Sequence, residues 1–152
     1  MSVQENPFWA AARGDVQPPP SAALLGWRVL EAEPDSGHVR VRFEAKREFT
    51  NPMGQIQGGF LAAMLDNTFG PGLATTFSPT QFAPTVELKV SFICPAEPGV
   101  LFGTGNVVHR GNSIAYLQGE LTNEQGGLIA TATATGRLIE VKAGGFDRSA
   151  DV

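Results

Sequence analysis

The chain has 152 residues, of which 42% are hydrophobic and 17% charged, and its formal net charge is −4. These values fit one soluble domain with a sizeable core, exclude a membrane span, and argue against a nucleic-acid partner. Two histidines and a single cysteine argue against a metal site and exclude an internal disulfide. We expect Cys94 to be a small buried residue. The N-terminus lacks a secretory pattern, so we expect a cytoplasmic protein.

The two ends of the chain differ in pattern from its middle. Residues 1–26 predict an N-terminal extension, with a short helix at Asn6–Ala12 and a linker through the proline run at 18–20. Residues 141–152 predict a frayed tail. A single folded domain is therefore expected over residues 27–140.

The domain opens with a predicted β-hairpin. Trp27–Glu33 has the pattern of a strand, and Pro34–Gly37 is a strong turn signal. His38–Glu44 then alternates apolar and polar side chains, which is typical of a strand with one buried face.

A glycine turn followed by a helix is predicted over Asn51–Gly70, with Pro71 near the predicted helix end. The large side chains share one side of this helix: Phe60, Leu61, Met64, Leu65 and Thr68. The opposite side carries small residues and one carboxylate: Gly59, Ala62, Ala63, Asp66 and Gly70. The small side suits close packing against another element, and a carboxylate retained there indicates a structural hydrogen bond or chemistry.

Four further strands are predicted after an irregular stretch at Leu73–Pro84: Thr85–Ile93, Val100–Arg110, Ser113–Thr122 and Leu128–Glu140. Two glycines in the second of them indicate a bend or a close approach. Short turns such as Gly111–Asn112 predict antiparallel pairing. The order of elements predicts an α+β fold, in which a curved, mainly antiparallel sheet of about six strands wraps around one long helix. We expect a second subunit to cover the small side of the helix.

One motif is carried by the helix and its approach. Asn51 is followed after five residues by Gln57-Gly58-Gly59, and after six more by Asp66. Downstream, Thr85–Phe92 precedes Pro95-Ala96. Together with Gly126–Thr135 and the order of elements, this pattern resembles the hotdog-fold acyl-CoA thioesterases, most closely the phenylacetate-pathway (PaaI-like) type. The resemblance extends over Trp27–Glu140 and implies the hotdog fold.

The resemblance also implies roles for individual residues. The Gly58 N–H would donate a hydrogen bond to the thioester carbonyl, and Asp66 would activate water or attack as a nucleophile. Asn51 would help to hold the water or the substrate, and the Thr85 hydroxyl would support the water. Gln57 occupies a position at which the family commonly has histidine, and glutamine cannot carry a proton.

The physical chemistry of a helix start agrees with these roles. Unpaired N–H groups and a partial positive charge make it a candidate oxyanion hole. Gly58 and Asp66 are eight residues apart, so about 12 Å along a helix axis, which is too far for both to serve one carbonyl. Two antiparallel copies could place Gly58 of one copy opposite Asp66 of the other. We therefore expect an obligate homodimer, which can pair further into a homotetramer.

Candidate contacts to the substrate come from several elements. Gly59 would lie beside the carbonyl, and the acyl pocket would involve aromatic and sulfur-containing side chains: Phe60, Met64, Phe77 and Phe82. Coenzyme A is a polyanion and needs cationic contacts, for which Arg110, the neighbouring Asn112 and Arg137 are candidates. No cofactor is expected beyond the coenzyme A that forms part of the substrate.

The sequence therefore predicts an enzyme that hydrolyses an aromatic or medium-chain acyl-CoA to the acid and coenzyme A. Other interpretations stay open. Asp66 could be purely structural in a non-catalytic acyl-CoA-binding protein, and Thr85 shares strand parity with Glu87 and could face solvent. A hydratase or dehydratase on the same fold is the second enzymatic alternative, and a lipid-binding module is the last.

Overall fold

The computed structural model describes residues 10–11, 14–76, 78 and 80–140. A short 3₁₀ helix occupies Arg47–Phe49. The helices and strands in these ranges are α1 (Pro20–Leu24), β1 (Arg28–Ala32), β2 (Val39–Ala45), α2 (Gly58–Ala74), β3 (Gln81–Phe82), β4 (Thr85–Phe92), β5 (Gly99–Arg110), β6 (Ile114–Asn123), β7 (Leu128–Arg137) and β8 (Ile139–Glu140).

Six of the strands form one sheet in the order β1-β2-β5-β6-β7-β4, and every neighbouring pair in it is antiparallel. Helix α2 contacts all six of these strands. The α+β architecture expected from the sequence is thereby confirmed. No helix in the described ranges is long and apolar enough to cross a bilayer.

The large side of α2 forms the centre of the core. Leu61, Met64, Leu65 and Thr68 are buried against the sheet, as their common side predicts. The helix lies close to β5 because that strand has glycine at the contact: a Cβ added at Gly103 would collide with the Thr68 side chain. The small side of α2 stays uncovered within the chain, with Gly59 and Asp66 exposed and the alanines between them half-buried.

The predicted end of α2 is wrong, because the helix continues through Pro71 to Ala74. Proline has no N–H to donate to the carbonyl four residues before it, and an interior proline ordinarily breaks a helix for that reason. Here the carbonyl of Asn67 accepts a hydrogen bond from the indole Nε1 of Trp27 instead, at 3.2 Å. A tertiary contact that local sequence does not reveal therefore supplies a donor for the carbonyl that the proline leaves unpaired.

Smaller differences concern the strands. The stretch predicted as irregular contains β3, which pairs with β8, so the predicted last strand is divided into β7 and β8. Cys94 is exposed beyond the end of β4, and the expectation that it is buried is wrong.

The N-terminal segment contributes to the core. Helix α1 begins at Pro20, the last residue of the proline run, and its Ala22 is buried together with Leu25 in the same hydrophobic cluster as the sheet. Of the helix predicted at Asn6–Ala12, only residues 10 and 11 lie among the described residues, and both are helical. The predicted tail at 141–152 lies outside the described residues.

Candidate active site

The first turn of α2 leaves one backbone donor open. The side chain of Gln57 caps the helix, since its Oε1 accepts a hydrogen bond from the Gly59 N–H at 2.8 Å. The N–H groups of Phe60 and Leu61 donate to the Gln57 carbonyl at 3.0 and 3.4 Å. Among the described residues, the N–H of Gly58 has no acceptor. An unpaired N–H at the positive end of a helix is a site for a carbonyl oxygen or an anion.

Phe92, the last residue of β4, packs against this helix start. A Cβ added at Gly58 would lie 3.0 Å from the Cζ of Phe92, so the ring touches the glycine directly. Phe92 is nevertheless 56% exposed. Phe92 is not among the site residues predicted from the sequence, although it alternates in phase with Val90 and so points to the same side of the sheet.

The loop before α2 is held by Asn51. Its side-chain Oδ1 accepts hydrogen bonds from the N–H groups of Met53 and Gln55 at 2.9 and 3.2 Å, and its own N–H donates to the Gln55 carbonyl at 2.7 Å. This is the Asx-type turn that asparagine favours. The side-chain oxygen of Asn51 thus holds the turn before the helix. The side-chain NH2 group is the part that can still contact a ligand.

An aromatic pair lies beside the same turn. The rings of Phe49 and Phe60 stack with centroids 4.2 Å apart and an interplanar angle of 11°. The ammonium group of Lys46 lies 5.8 Å from the Phe49 ring centroid. Phe60, predicted to contact the acyl group, is therefore packed against a neighbouring ring and only half-buried.

The carboxylate in the middle of α2 is anchored from β4. The hydroxyl of Thr85 donates to Oδ1 of Asp66 at 2.7 Å. Thr85 therefore does not simply face solvent with Glu87, the alternative left open by the sequence, and the register of β4 shifts between these two residues. Both Asp66 and Thr85 are exposed, so a water molecule or a ligand can reach the carboxylate.

Helix α2 and strand β4 run in opposite directions past each other. Gly58 lies beside Phe92, the last residue of the strand, and Asp66 lies beside Thr85, its first residue. The two halves of the site are separated by eight helical residues, about 12 Å along the axis. Within one chain, the open N–H and the carboxylate therefore lie too far apart to act on the same carbonyl group.

The residues predicted to line an acyl pocket are dispersed. Met64 is 0% exposed and belongs to the core, because it shares the large side of α2 with Leu61 and Leu65. Phe82 lies on β3 and is 37% exposed. Phe77 lies outside the described residues.

The residues predicted to contact coenzyme A differ in their hydrogen bonding and exposure. The guanidinium of Arg110 donates to the carbonyls of Gly111 and Thr76 at 3.1 and 3.4 Å and to Oε1 of Gln81 at 2.9 Å, so it ties β5 to the segment after α2. Arg137 and Asn112 are exposed.

The same segment is tied to β8 by Glu140. Hydrogen bonds that Thr80 and Gln81 donate to its carboxylate, at 2.7 and 2.9 Å, lower the pKa of Glu140. In the described part of the chain, no group of three His, Cys, Asp or Glu side chains could hold a metal ion.

Comparison with known proteins identifies the family. The sequence profile of the Thioesterase superfamily matches residues 53–130, about half of the chain. Human acyl-coenzyme A thioesterase 13 is 30% identical over 106 residues, which are 68% of this chain and 67% of that protein. The chain therefore belongs to the thioesterase superfamily, and it is a thioester hydrolase.

Solved structures agree on the fold. A phenylacetic acid degradation-related protein from Ralstonia eutropha JMP134 superposes with a TM-score of 0.83 at 35% identity, over 87% of this chain and 99% of its own. The PaaI protein of E. coli superposes with a TM-score of 0.76 at 20% identity, over 88% of this chain and 96% of its own. The hotdog fold and the resemblance to PaaI-like thioesterases expected from the sequence are confirmed.

Proposed function

We propose that this protein hydrolyses acyl-CoA thioesters, with an aromatic or medium-chain acyl group, at two equivalent sites shared across a homodimer. The observation that carries the proposal is the pairing of an open Gly58 N–H at one end of the α2–β4 contact with a hydroxyl-anchored Asp66 at the other. Human acyl-coenzyme A thioesterase 13, named for this substrate class, is among the similar proteins and supports the choice of substrate.

In the proposed reaction, the thioester carbonyl oxygen accepts a hydrogen bond from the Gly58 N–H, where the helix dipole stabilises developing negative charge. Asp66 takes a proton from a water molecule whose oxygen attacks the carbonyl carbon. The C–S bond then breaks, the acid is released, and the sulfur of coenzyme A accepts the proton. Thr85 holds one oxygen of Asp66, which leaves the other free to accept that proton. Asn51 and Gln57 position the helix start, and the reaction uses no cofactor.

Strand β4 is suited to join two copies. It lies at the edge of the main sheet beside β7 alone. Its Val86 and Phe92, near the two ends of the strand, are 59% and 56% exposed, and exposed apolar side chains on an edge strand favour pairing. Antiparallel pairing of two β4 strands about a two-fold axis places the end of one strand beside the start of the other. Gly58 and Phe92 of one subunit would then meet the partner subunit's Asp66 and the partner's Thr85 in one site.

The rest of the substrate extends away from this centre. Arg137 is exposed and can contact the phosphates of coenzyme A, whereas Arg110 would have to leave part of its hydrogen-bond network to do so. Assembly of dimers into a homotetramer and a cytoplasmic location stay predictions from the sequence.

Release of free thiol from a panel of short, medium, long and aromatic acyl-CoA esters tests the proposal. Asp66→Asn keeps the size of the side chain and removes the base, so turnover should fall at least about 100-fold, a loss of roughly 2.7 kcal/mol of transition-state stabilisation. Circular dichroism of both proteins checks that they are folded. Equal turnover in both proteins would exclude Asp66 as the catalytic base, whereas no turnover of any ester by the wild type would contradict the proposed acyl-CoA substrates.

The open N–H can be removed by itself. Gly58 is the first residue of α2, where proline is well tolerated, and the residue before it already has the extended backbone that proline requires. Gly58→Pro should lower kcat about 100-fold relative to Gly58→Ala, since one oxyanion donor contributes about 10²–10³ in rate. The alanine variant is the matched control because it adds the same Cβ beside Phe92 and keeps the N–H. Similar kcat values in the two variants would contradict the assigned role.

A further inference from the structure

We propose that Phe92 determines the acyl specificity of this site by excluding acyl groups that branch at the carbon next to the carbonyl. The inference rests on the proposed function and adds to it a residue and a substrate feature. It starts from the contact between the Phe92 ring and Gly58, in which an added Cβ would lie 3.0 Å from Cζ, 3.3 Å from Cε1 and 3.4 Å from Cε2.

The direction in which the Phe92 ring lies from Gly58 determines which part of a bound substrate the ring can contact. In an α-helix, the Cα–Cβ direction tilts toward the N-terminus, and the N–H groups of the first turn point the same way. A ring that occupies the Cβ direction of Gly58 therefore stands next to the path along which an acceptor approaches the Gly58 N–H. Phe92 forms a wall on one side of the carbonyl position.

The ring is also available to a ligand. Phe92 is 56% exposed, whereas the core on the other side of α2 is complete without it, with Met64 and Leu65 at 0% exposure. An aromatic side chain that is mostly exposed and still packed against a glycine contributes little to the core. Because the ring touches Gly58 at the helix start, a ligand bound there can contact its remaining surface.

Distances at the carbonyl give the consequence for substrates. A carbonyl oxygen bound by the Gly58 N–H lies about 2.9 Å from the nitrogen, and its carbon lies about 1.2 Å further on. Substituents on the next carbon of the acyl chain therefore fall within contact range of a ring beside Gly58. A linear chain can turn away from the ring, but a branched one presents a methyl group on both sides. Hydrophobic sites discriminate single methyl groups by about 10–200-fold.

The matched substrates are n-octanoyl-CoA and 2-methylheptanoyl-CoA, medium-chain esters that have the same atoms and differ only in the branch next to the carbonyl. We expect wild type to prefer the linear ester by about tenfold or more in kcat/KM. Phe92→Ala should reduce this preference at least fivefold by raising turnover of the branched ester, and Phe92→Leu should give an intermediate value. Ile93→Ala is the control, because it removes an exposed apolar side chain at the neighbouring position, and it should retain the wild-type ratio within twofold.

The outcomes separate the two proposals. Wild-type turnover with no preference for the linear ester, or a ratio unchanged in both folded Phe92 variants, overturns the inference and leaves the thioesterase proposal intact. Loss of turnover of both esters in equal proportion also overturns it, because a purely structural residue would behave in that way. If the wild type hydrolyses no ester in the panel, the proposed function fails, and this inference fails with it.

Discussion

At the scale of single residues, the hydroxyl of Thr85 and the helix cap formed by Gln57 hold the two halves of the site in position. Thr85 fixes one oxygen of Asp66 in a hydrogen bond of 2.7 Å. Gln57 satisfies the second N–H of the helix and leaves the first open. A glutamine cap does this at any pH because it has no proton to lose, whereas histidine in the same position would titrate near neutrality.

The contribution of Thr85 can be measured directly. Thr85→Val keeps the shape of the side chain and removes the hydrogen-bond donor to Asp66. Hydrogen bonds to charged groups contribute about 1.5–3 kcal/mol. We therefore expect kcat to fall about tenfold with little change in KM. Thr85→Ser should restore most of the loss. Thr133→Val is the control because Thr133 is an exposed threonine between two buried alanines of β7. Equal activity of the Thr85→Val variant and the wild type would mean that the hydroxyl has no catalytic role.

At the scale of elements, the length of α2 depends on a side chain from outside the helix. Pro71 removes the donor for the Asn67 carbonyl, and the indole of Trp27 replaces it. The bulge in β4 is a second case, since it turns Thr85 toward the helix against the parity of the strand. In both elements a hydrogen bond to α2 lies at or next to the irregular position.

A double-mutant cycle tests the replacement of the donor. Trp27→Phe removes the indole donor and should lower the free energy of unfolding by about 1 kcal/mol for the hydrogen bond, in addition to the loss in packing. In a Pro71→Ala background, the restored backbone N–H can donate to the Asn67 carbonyl. Trp27→Phe should then lower the free energy of unfolding by about 1 kcal/mol less than it does in the wild type. Urea unfolding of the four proteins gives the coupling. If the two substitutions lower the free energy of unfolding additively, the indole hydrogen bond does not compensate for the proline.

At the scale of the whole molecule, the proposed site is complete only when two chains combine. The open N–H lies at the start of α2 and the carboxylate on its uncovered small side, about 12 Å apart along the helix axis. The exposed edge of β4 runs past both of them. A two-fold axis across this surface would cover the small side of the helix and assemble both sites at once, so stability and activity should depend on protein concentration together.

Subunit complementation tests the shared site. Gly58→Pro and Asp66→Asn each damage a different half, so a mixed dimer should contain one intact site and one site with both defects. Co-expression of the two variants should therefore restore about a quarter of wild-type activity, since half of the dimers are mixed and each has one of two sites intact. Each variant expressed alone is the control. If both halves of each site came from the same chain, the mixed dimers would be inactive.

The sequence by itself determined the order of the long helix and the six strands of the main sheet, the two sides of α2 and the motif from Asn51 to Asp66. Periodicity fixes which side chains share a face, and glycine spacing marks where backbones approach closely, so these features are local. They predicted an α+β sheet around one long helix, and the resemblance of the motif to the PaaI-like thioesterases implied the hotdog fold.

The tertiary structure decided the features that depend on residues far apart in the chain. The Trp27 indole donates to the carbonyl of Asn67 over a separation of 40 residues, and Phe92 reaches Gly58 from a strand that follows the helix. The contact between Thr85 and Asp66 requires a bulge that alternation does not predict. Such contacts arise from how α2 and β4 pack together, and no local pattern records a packing arrangement between two separate elements.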